Sequence, residues 1–281
     1  MPRLSAAIAA ERENGFELTI KAKLGQNFLN DSAASLRIVE ALGDISGTTV
    51  LEIGPGKGAI TKLLASRAQR LIAVEFDSFL ATQLQEDYAG NDRVQVVQQD
   101  ILTADLTELA GAEKLAVVGN LPYYITSQIL LHLFEHHAAV DRAVLMVQRE
   151  VAERIAAEPG TRDYGLLTAT TQLYARVDNL FTLPPTAFSP PPDVFSTVIR
   201  LKFDAYFARL GVNPSAFIDF LRQIFAQKRK TLANNLRFSG QHVEELSQAF
   251  SATNISPGIR AEALPLEAAA RLFLALQTPP R

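Results

Sequence analysis

The chain has 281 residues, 48% of them apolar and 20% charged, with a formal net charge of −3. Such a composition describes a globular protein with enough chain to bury a core in one large domain or two modest ones. Cysteine is absent, which excludes disulfides, thiolate nucleophiles, Cys-ligated zinc and iron–sulfur clusters. No apolar run approaches the ~18 to 20 residues that span a bilayer. The opening MPRLSAAIAAERENG is broken by Glu11, Arg12 and Glu13, unlike the apolar centre of a secretion signal. A cytoplasmic protein without a membrane partner is expected.

From about residue 47, short β-branched runs alternate with helical patterns. Strands are predicted at 48–54, 71–76, 94–100, 114–120 and 143–149, with helices near 58–70, 78–88 and 126–137. Continuous apolar strands separated by helices signal a parallel sheet covered on both faces, an α/β doubly wound domain that binds ligands beyond its strand ends. A late strand is predicted at 197–203, after the proline cluster Pro190–Pro192. Beyond Asp204 the pattern turns helical. Asn213-Pro214 is a cap and first-turn pair, apolar residues recur from Phe217 to Leu236, and Gly240 is the expected stop. A final helix is predicted from Pro265 to Leu276.

Charge is unevenly spread. Residues 1–204 hold 18 basic and 25 acidic side chains, whereas 205–281 hold 9 and 5. The whole-chain charge gives no hint of a nucleic-acid partner, but the opposite sign of the C-terminal quarter suggests a module with its own surface task. Much of its positive charge lies in Arg222, Lys228, Arg229, Lys230 and Arg237. Either a solvated helix face or a phosphate-binding surface fits that run.

The segment Glu52-Ile-Gly-Pro-Gly-Lys-Gly58 joins the first strand to its helix. Its glycines permit a tight turn and the close approach of a ligand. Glu75 ends the second strand, where a carboxylate can grip two ribose hydroxyls. Gly54-x-Gly56-x-x-Ala59 can be forced onto a dinucleotide fingerprint, and the loop also fits S-adenosylmethionine (AdoMet) methyltransferases. Acids crowd the loop: Glu52, Glu75, Asp77 and Asp100 lie at or near strand ends. They would repel a pyrophosphate but not a sulfonium or an ammonium. Asp100 could accept a hydrogen bond from an adenine amino group, or could simply cap a helix.

Asn120-Leu121-Pro122-Tyr123 follows the fourth strand. The exocyclic amine of adenine is a poor nucleophile because its lone pair is delocalised into the ring. The Asn120 side-chain oxygen and the Leu121 carbonyl could each accept one of its N–H groups and aim the lone pair at a methyl donor. Pro122 stiffens the turn and Tyr123 offers a flat face for a base. Catalysis would come from positioning and oriented dipoles. A plain strand-end turn is the simpler possibility.

With Gly25-Gln-Asn-Phe-Leu29, Glu52–Gly58, Glu75, Gln99-Asp100, Asn120–Tyr123 and Phe188-Ser-Pro-Pro-Pro-Asp-Val194 in this order, the chain resembles the ribosomal RNA adenine N6-dimethyltransferases. Gln227–Leu236 and Arg260-Ala-Glu-Ala-Leu264 resemble their small-subunit branch. The resemblance implies a Rossmann-like class I AdoMet-dependent methyltransferase domain over 25–204, after an N-terminal extension (1–24), with a small helical RNA-docking domain over 205–281. It implies AdoMet as methyl donor and dimethylation of two adjacent adenosines near the 3′ end of small-subunit rRNA, on a pre-30S particle, by a monomer without a metal. Cofactor contacts carry over to Asn27, Leu29, Gly54, Gly56, Glu75, Asp100 and Asn120. Phe188 is implied as the aromatic partner closing on the base opposite Tyr123, although a core role suits it equally. Many relatives carry Asn where this chain has Tyr124. Lys21, Lys23 and the five C-terminal cations are the candidate RNA contacts.

His132 and His136 share a helix face but lack a third ligand, so a structural role is expected. A nicotinamide dehydrogenase would explain the glycine loop and Glu75 but leave Asn120–Tyr123 idle. A non-catalytic assembly factor or a large-subunit, resistance-type methyltransferase would also accommodate the motifs.

Overall fold

The computed structural model describes residues 27–277. Lys21, Lys23, Gly25 and Gln26, and with them the expected extension, lie outside the described residues. The first described strand is β1 (Phe28–Leu29). Helix α1 (Ser32–Ala41) follows, with its N-cap Asp31 accepting the Ala34 N–H at 3.0 Å. Then β2 (Thr49–Ile53), α2 (Thr61–Arg67), β3 (Arg70–Glu75), α3 (Ser78–Asp87), β4 (Val94–Gln98), α4 (Leu106–Ala110), β5 (Leu115–Asn120), α5 (Thr126–Glu135) and β6 (Val140–Gln148) alternate. Next come α6 (Arg149–Ile155), α7 (Leu166–Tyr174), β7 (Ala175–Leu183), β8 (Phe188–Ser189) and β9 (Ser196–Phe203). The last described helices are α8 (Tyr206–Arg209), α9 (Pro214–Phe225), α10 (Leu232–Phe238), α11 (Val243–Thr253) and α12 (Leu266–Gln277).

Seven strands form one sheet in the order β4-β3-β2-β5-β6-β9-β7. β2 is parallel to β3 and β5, β3 to β4, and β5 to β6, while β9 runs antiparallel to β6. The expected parallel sheet is therefore a mixed one, with β9 reversed and a seventh strand, β7, at its edge. That strand escapes the sequence pattern because an edge strand is only half covered and Asp178-Asn179 within it look like turn residues. On one face Val50, Val118, Val144 and Val198 pack with Ile38 and Val39 of α1 and Leu64 of α2. Strand order reverses between β2 and β5, so the crevice at their carboxyl ends is where this architecture places a ligand. The glycine loop leaves β2 at that crevice and Asn120 leaves β5 there.

The described residues form two units, one containing 27–152 and 178–203 and the other 153–177 and 204–277. The single expected boundary at residue 204 is corrected in one respect: residues 153–177 belong with the C-terminal helices. Their apolar side chains find partners there, as Tyr164 meets Phe225 at 6.1 Å between ring centres and Tyr174 meets Phe207 at 5.5 Å. In the same unit Phe217, Phe220 and Phe273 pack at 5.3 to 6.0 Å. Helix α7 is hidden in the sequence by its β-branched Thr168, Thr170 and Thr171. Two of these hydroxyls donate to backbone carbonyls, of Arg154 and Leu167, and so lose the cost of burial.

Asn213 caps α9 as expected, accepting the Ala216 N–H at 3.1 Å. The continuous helix to Gly240 is not found. α9 ends at Phe225 because the buried Asn235 amide donates to the carbonyls of Ile224 (2.7 Å) and Gln227 (3.2 Å). Lys228, Arg229 and Lys230 consequently sit in a connection between helices, not on a helix face.

Gly119, in the middle of the sheet, has no room for a side chain: a Cβ would lie 2.9 Å from the Ile53 carbonyl oxygen and 3.1 Å from Leu121 Cδ2. Gly119→Ala should destabilise the protein by about 1–3 kcal/mol, seen as a lowered midpoint in denaturant unfolding. An unchanged midpoint would mean that β2 and β5 are less tightly apposed.

Candidate active site

Gly54, Gly56 and Gly58 have φ of 63°, 58° and 78°, a left-handed path that favours glycine. A Cβ on Gly54 would meet no protein atom within 4 Å, whereas one on Gly56 would lie 3.0 Å from Phe28 Cδ1. Gly54 thus borders open space, while Phe28 covers Gly56. The Lys57 ammonium sits 4.6 Å from the centre of the Phe28 ring. Glu75 is buried at the end of β3. Its Oε2 accepts the Gly56 N–H and its Oε1 the Asp77 N–H, each at 2.9 Å. A carboxylate offers about four acceptor positions, so these bonds fix the loop and leave one position on each oxygen.

Glu52 is also buried, and neither its Oε2 nor the Thr61 hydroxyl has a hydrogen-bond partner among the described residues. Burial pushes the Glu52 carboxyl up to about 8; the nearby Thr61 hydroxyl opposes the rise and the Glu75 carboxylate adds to it. Asp77 and Asp100 act as caps: Asp77 Oδ1 accepts the N–H groups of Phe79 and Leu80, and Asp100 Oδ1 accepts that of Leu102. For Asp100 the capping role is therefore real, and its second oxygen remains for another donor.

At the end of β5, Asn120 Nδ2 donates to the Asn27 carbonyl at 2.8 Å. A backbone carbonyl can only accept, so this contact fixes the orientation of the amide and turns Oδ1 away from Asn27. Leu121 is buried and its N–H donates to the Met146 carbonyl at 3.0 Å. Pro122 has φ −59°, and its carbonyl accepts the Thr126 hydroxyl at 3.1 Å. The half-buried Tyr123 shares a 2.7 Å hydrogen bond with the Ser196 hydroxyl. The structure thus brings Asn27, the glycine loop, Glu75, Asn120 and Tyr123 around the β2–β5 switch point. Two contributors were not legible as such. Phe28 lies inside the Gly25–Leu29 motif, yet only the need for glycine at position 56 hints at its covering role. Ser196 carried no signal.

Phe188 takes the core placement that the sequence left open beside a role at the base. It is 3% exposed, pairs with Leu29 in the β1–β8 ribbon and packs in the hydrophobic cluster. Leu29 is buried in the same cluster. Tyr124, by contrast, is 62% exposed, and its partial desolvation, together with the Asp100 charge, raises its pKa. Arg222 forms a 2.7 Å ion pair with Asp219, and Lys228 Nζ donates to the Arg162 carbonyl at 2.9 Å. Arg229, Lys230 and Arg237 are exposed. His132 and His136 bond the carbonyls of Ala104 and His132, as their expected structural role requires.

The profile of a family described as ribosomal RNA adenine dimethylase matches residues 17–278. The chain belongs to that family. It is 57% identical over 258 residues to the ribosomal RNA small subunit methyltransferase A of Acidobacterium capsulatum, covering 92% of this chain and 91% of the relative. It is 51% identical to the protein of the same name from Koribacter versatilis, covering 97% and 98%. A crystal structure of the 23S rRNA methyltransferase ErmE is 28% identical, with a TM-score of 0.68 over 90% of this chain and 100% of that one. A dimethyladenosine transferase from Plasmodium falciparum shares the fold, with a TM-score of 0.77 at 24% identity over 88% and 96%. Membership of this family speaks against the dehydrogenase alternative.

The residues present fit AdoMet. The remaining Glu75 acceptor positions suit a ribose diol, the open space beside Gly54 admits a ligand against bare backbone, and the acids suit a cation. A folded-state Glu52 value above the unfolded one means that the native protein holds this proton more tightly. The resulting stabilisation is full below about pH 4.5 and is lost as pH rises towards about 8. Glu52→Gln should therefore gain stability relative to the parent across that window, by roughly a few kcal/mol, in paired denaturant titrations. A difference independent of pH would show that Glu52 is ionised throughout.

Proposed function

We propose that this dimethylase uses AdoMet to methylate N6 of two adjacent adenosines near the 3′ end of small-subunit rRNA, twice each. The observation that carries the chemistry is the fixed amide of Asn120 at the end of β5. With Nδ2 held by Asn27, Oδ1 and the Leu121 carbonyl are the acceptors for the two N–H groups of the target amine. They draw the nitrogen towards tetrahedral geometry, with its lone pair directed into the crevice. Tyr123, steadied by Ser196, presents its ring to the purine. AdoMet supplies a methyl group on a sulfonium, held by Glu75, Asp100 and the backbone at Asn27, Leu29, Gly54 and Gly56. In this reading Phe188 serves the site from within the core, by holding the ribbon that carries Leu29.

The acceptor is a precursor of the small subunit, and the chain acts on it as a monomer in the cytoplasm. No helix among the described residues is long and apolar enough to cross a membrane. A flipped base leaves the rest of the RNA to be gripped through phosphate, for which Arg229, Lys230 and Arg237 are the exposed cations of the second unit, with Lys228, Arg222, Lys21 and Lys23 as further candidates.

Purified protein, AdoMet and unmethylated small subunits should yield dimethyladenosine at two adjacent positions. No label, or label at other positions, would refute the reading. Asn120→Ala should lower the rate by about 10²–10³-fold with particle binding retained. Reversing Lys228, Arg229 and Lys230 to Glu should weaken particle binding and flatten its salt dependence; unchanged binding would remove these residues from the RNA contact.

A further inference from the structure

Large apolar side chains left open beside a catalytic crevice call for a partner. Phe195 is 44% exposed and immediately precedes Ser196, whose hydroxyl holds that of Tyr123. Arg149 follows the end of β6 at the same edge. Its N–H donates to the Phe195 carbonyl at 3.0 Å, and its guanidinium carbon lies 5.3 Å from the centre of the Phe195 ring. The chemistry derived above uses neither side chain. The other exposed rings of this unit lie on the cofactor side: Phe76 and Phe79 follow Glu75 in sequence, and Tyr124 is close enough to Asp100 to feel its charge.

We propose that Phe195 and Arg149 form a platform for the nucleotide next to the target adenosine, the ring stacking on its base and the guanidinium holding its phosphate. This rests on the proposed function. An adenosine drawn out of its stack leaves its neighbour without a partner, and an exposed flat ring beside the pocket replaces that partner for any base. A cation against the same ring matches the charge of the linking phosphate. Because the two target adenosines are adjacent, a platform on one side of the pocket holds one of them while the other is methylated, and the next nucleotide along the strand in the other step.

Steady-state methylation of unmethylated small subunits by the parent protein, Phe195→Ala, Phe195→Leu, Phe195→Trp and Arg149→Ala tests this, with AdoMet affinity and Tm measured alongside. Phe195→Ala should raise KM for the particle about tenfold, the loss of roughly one stacked base, with AdoMet affinity and Tm unchanged. Phe195→Leu keeps apolar cover without a flat face and should behave like the alanine variant, while Phe195→Trp should restore the parent KM. Arg149→Ala should reduce the salt slope by about one phosphate contact. A parent-like KM for Phe195→Ala, recovery by leucine, or an effect confined to kcat or AdoMet affinity would overturn the platform. If the parent protein itself placed no methyl groups on small-subunit adenosines, the proposed function would fall, and the platform with it.

Discussion

The bond from Asn120 Nδ2 to the Asn27 carbonyl ties the end of the central strand to the segment that covers the glycine loop. A primary amide has two chemically opposite ends, and an unrestrained one can present either to a substrate. Here the backbone carbonyl accepts and so decides the matter: the donor end is spent on the protein and the acceptor end is left for an amine. The neighbouring Phe28 lies over Gly56, and Gly56 in turn donates to Glu75. One short segment therefore couples the element that orients the nucleophile to the loop suited to the donor. Under the proposed function, the alignment needed for transfer is built into the resting fold.

The two units differ in their charge. The crevice gathers carboxylates, which favour a cationic donor and disfavour phosphate. Under the proposed function the polyanion is held elsewhere, and the exposed Arg229, Lys230 and Arg237 of the second unit are the candidates for that contact. Glu52 does not add to the charge of the crevice, since burial, helped by the Glu75 carboxylate, raises its carboxyl to about 8 and keeps it neutral near neutral pH.

Much of this was legible in the sequence because the decisive features are local. The strands of the parallel half, the glycine turn and the Asn120–Tyr123 tetrapeptide all rest on short-range pattern, and the structure sets them around one switch point. Edge strand β7 was hidden by its half-polar surface, and α7 by threonines whose hydroxyls are satisfied only in the fold. The break after Phe225 depends on Asn235, ten residues on, reaching back to the carbonyl end of α9. The Asn27–Asn120 and Tyr123–Ser196 bonds join residues 93 and 73 positions apart, which no periodicity reveals. Phe188 illustrates the converse: its motif points to the substrate, while its side chain is packed in the core.

The most direct test of the central claim is a high-resolution structure of the protein with a non-reactive AdoMet analogue and adenosine. Nδ2 of Asn120 should still face the Asn27 carbonyl, with Oδ1 within ~3 Å of the purine amino nitrogen. An amide turned the other way, or a crevice with no space for a purine between Asn120 and the donor, would contradict it.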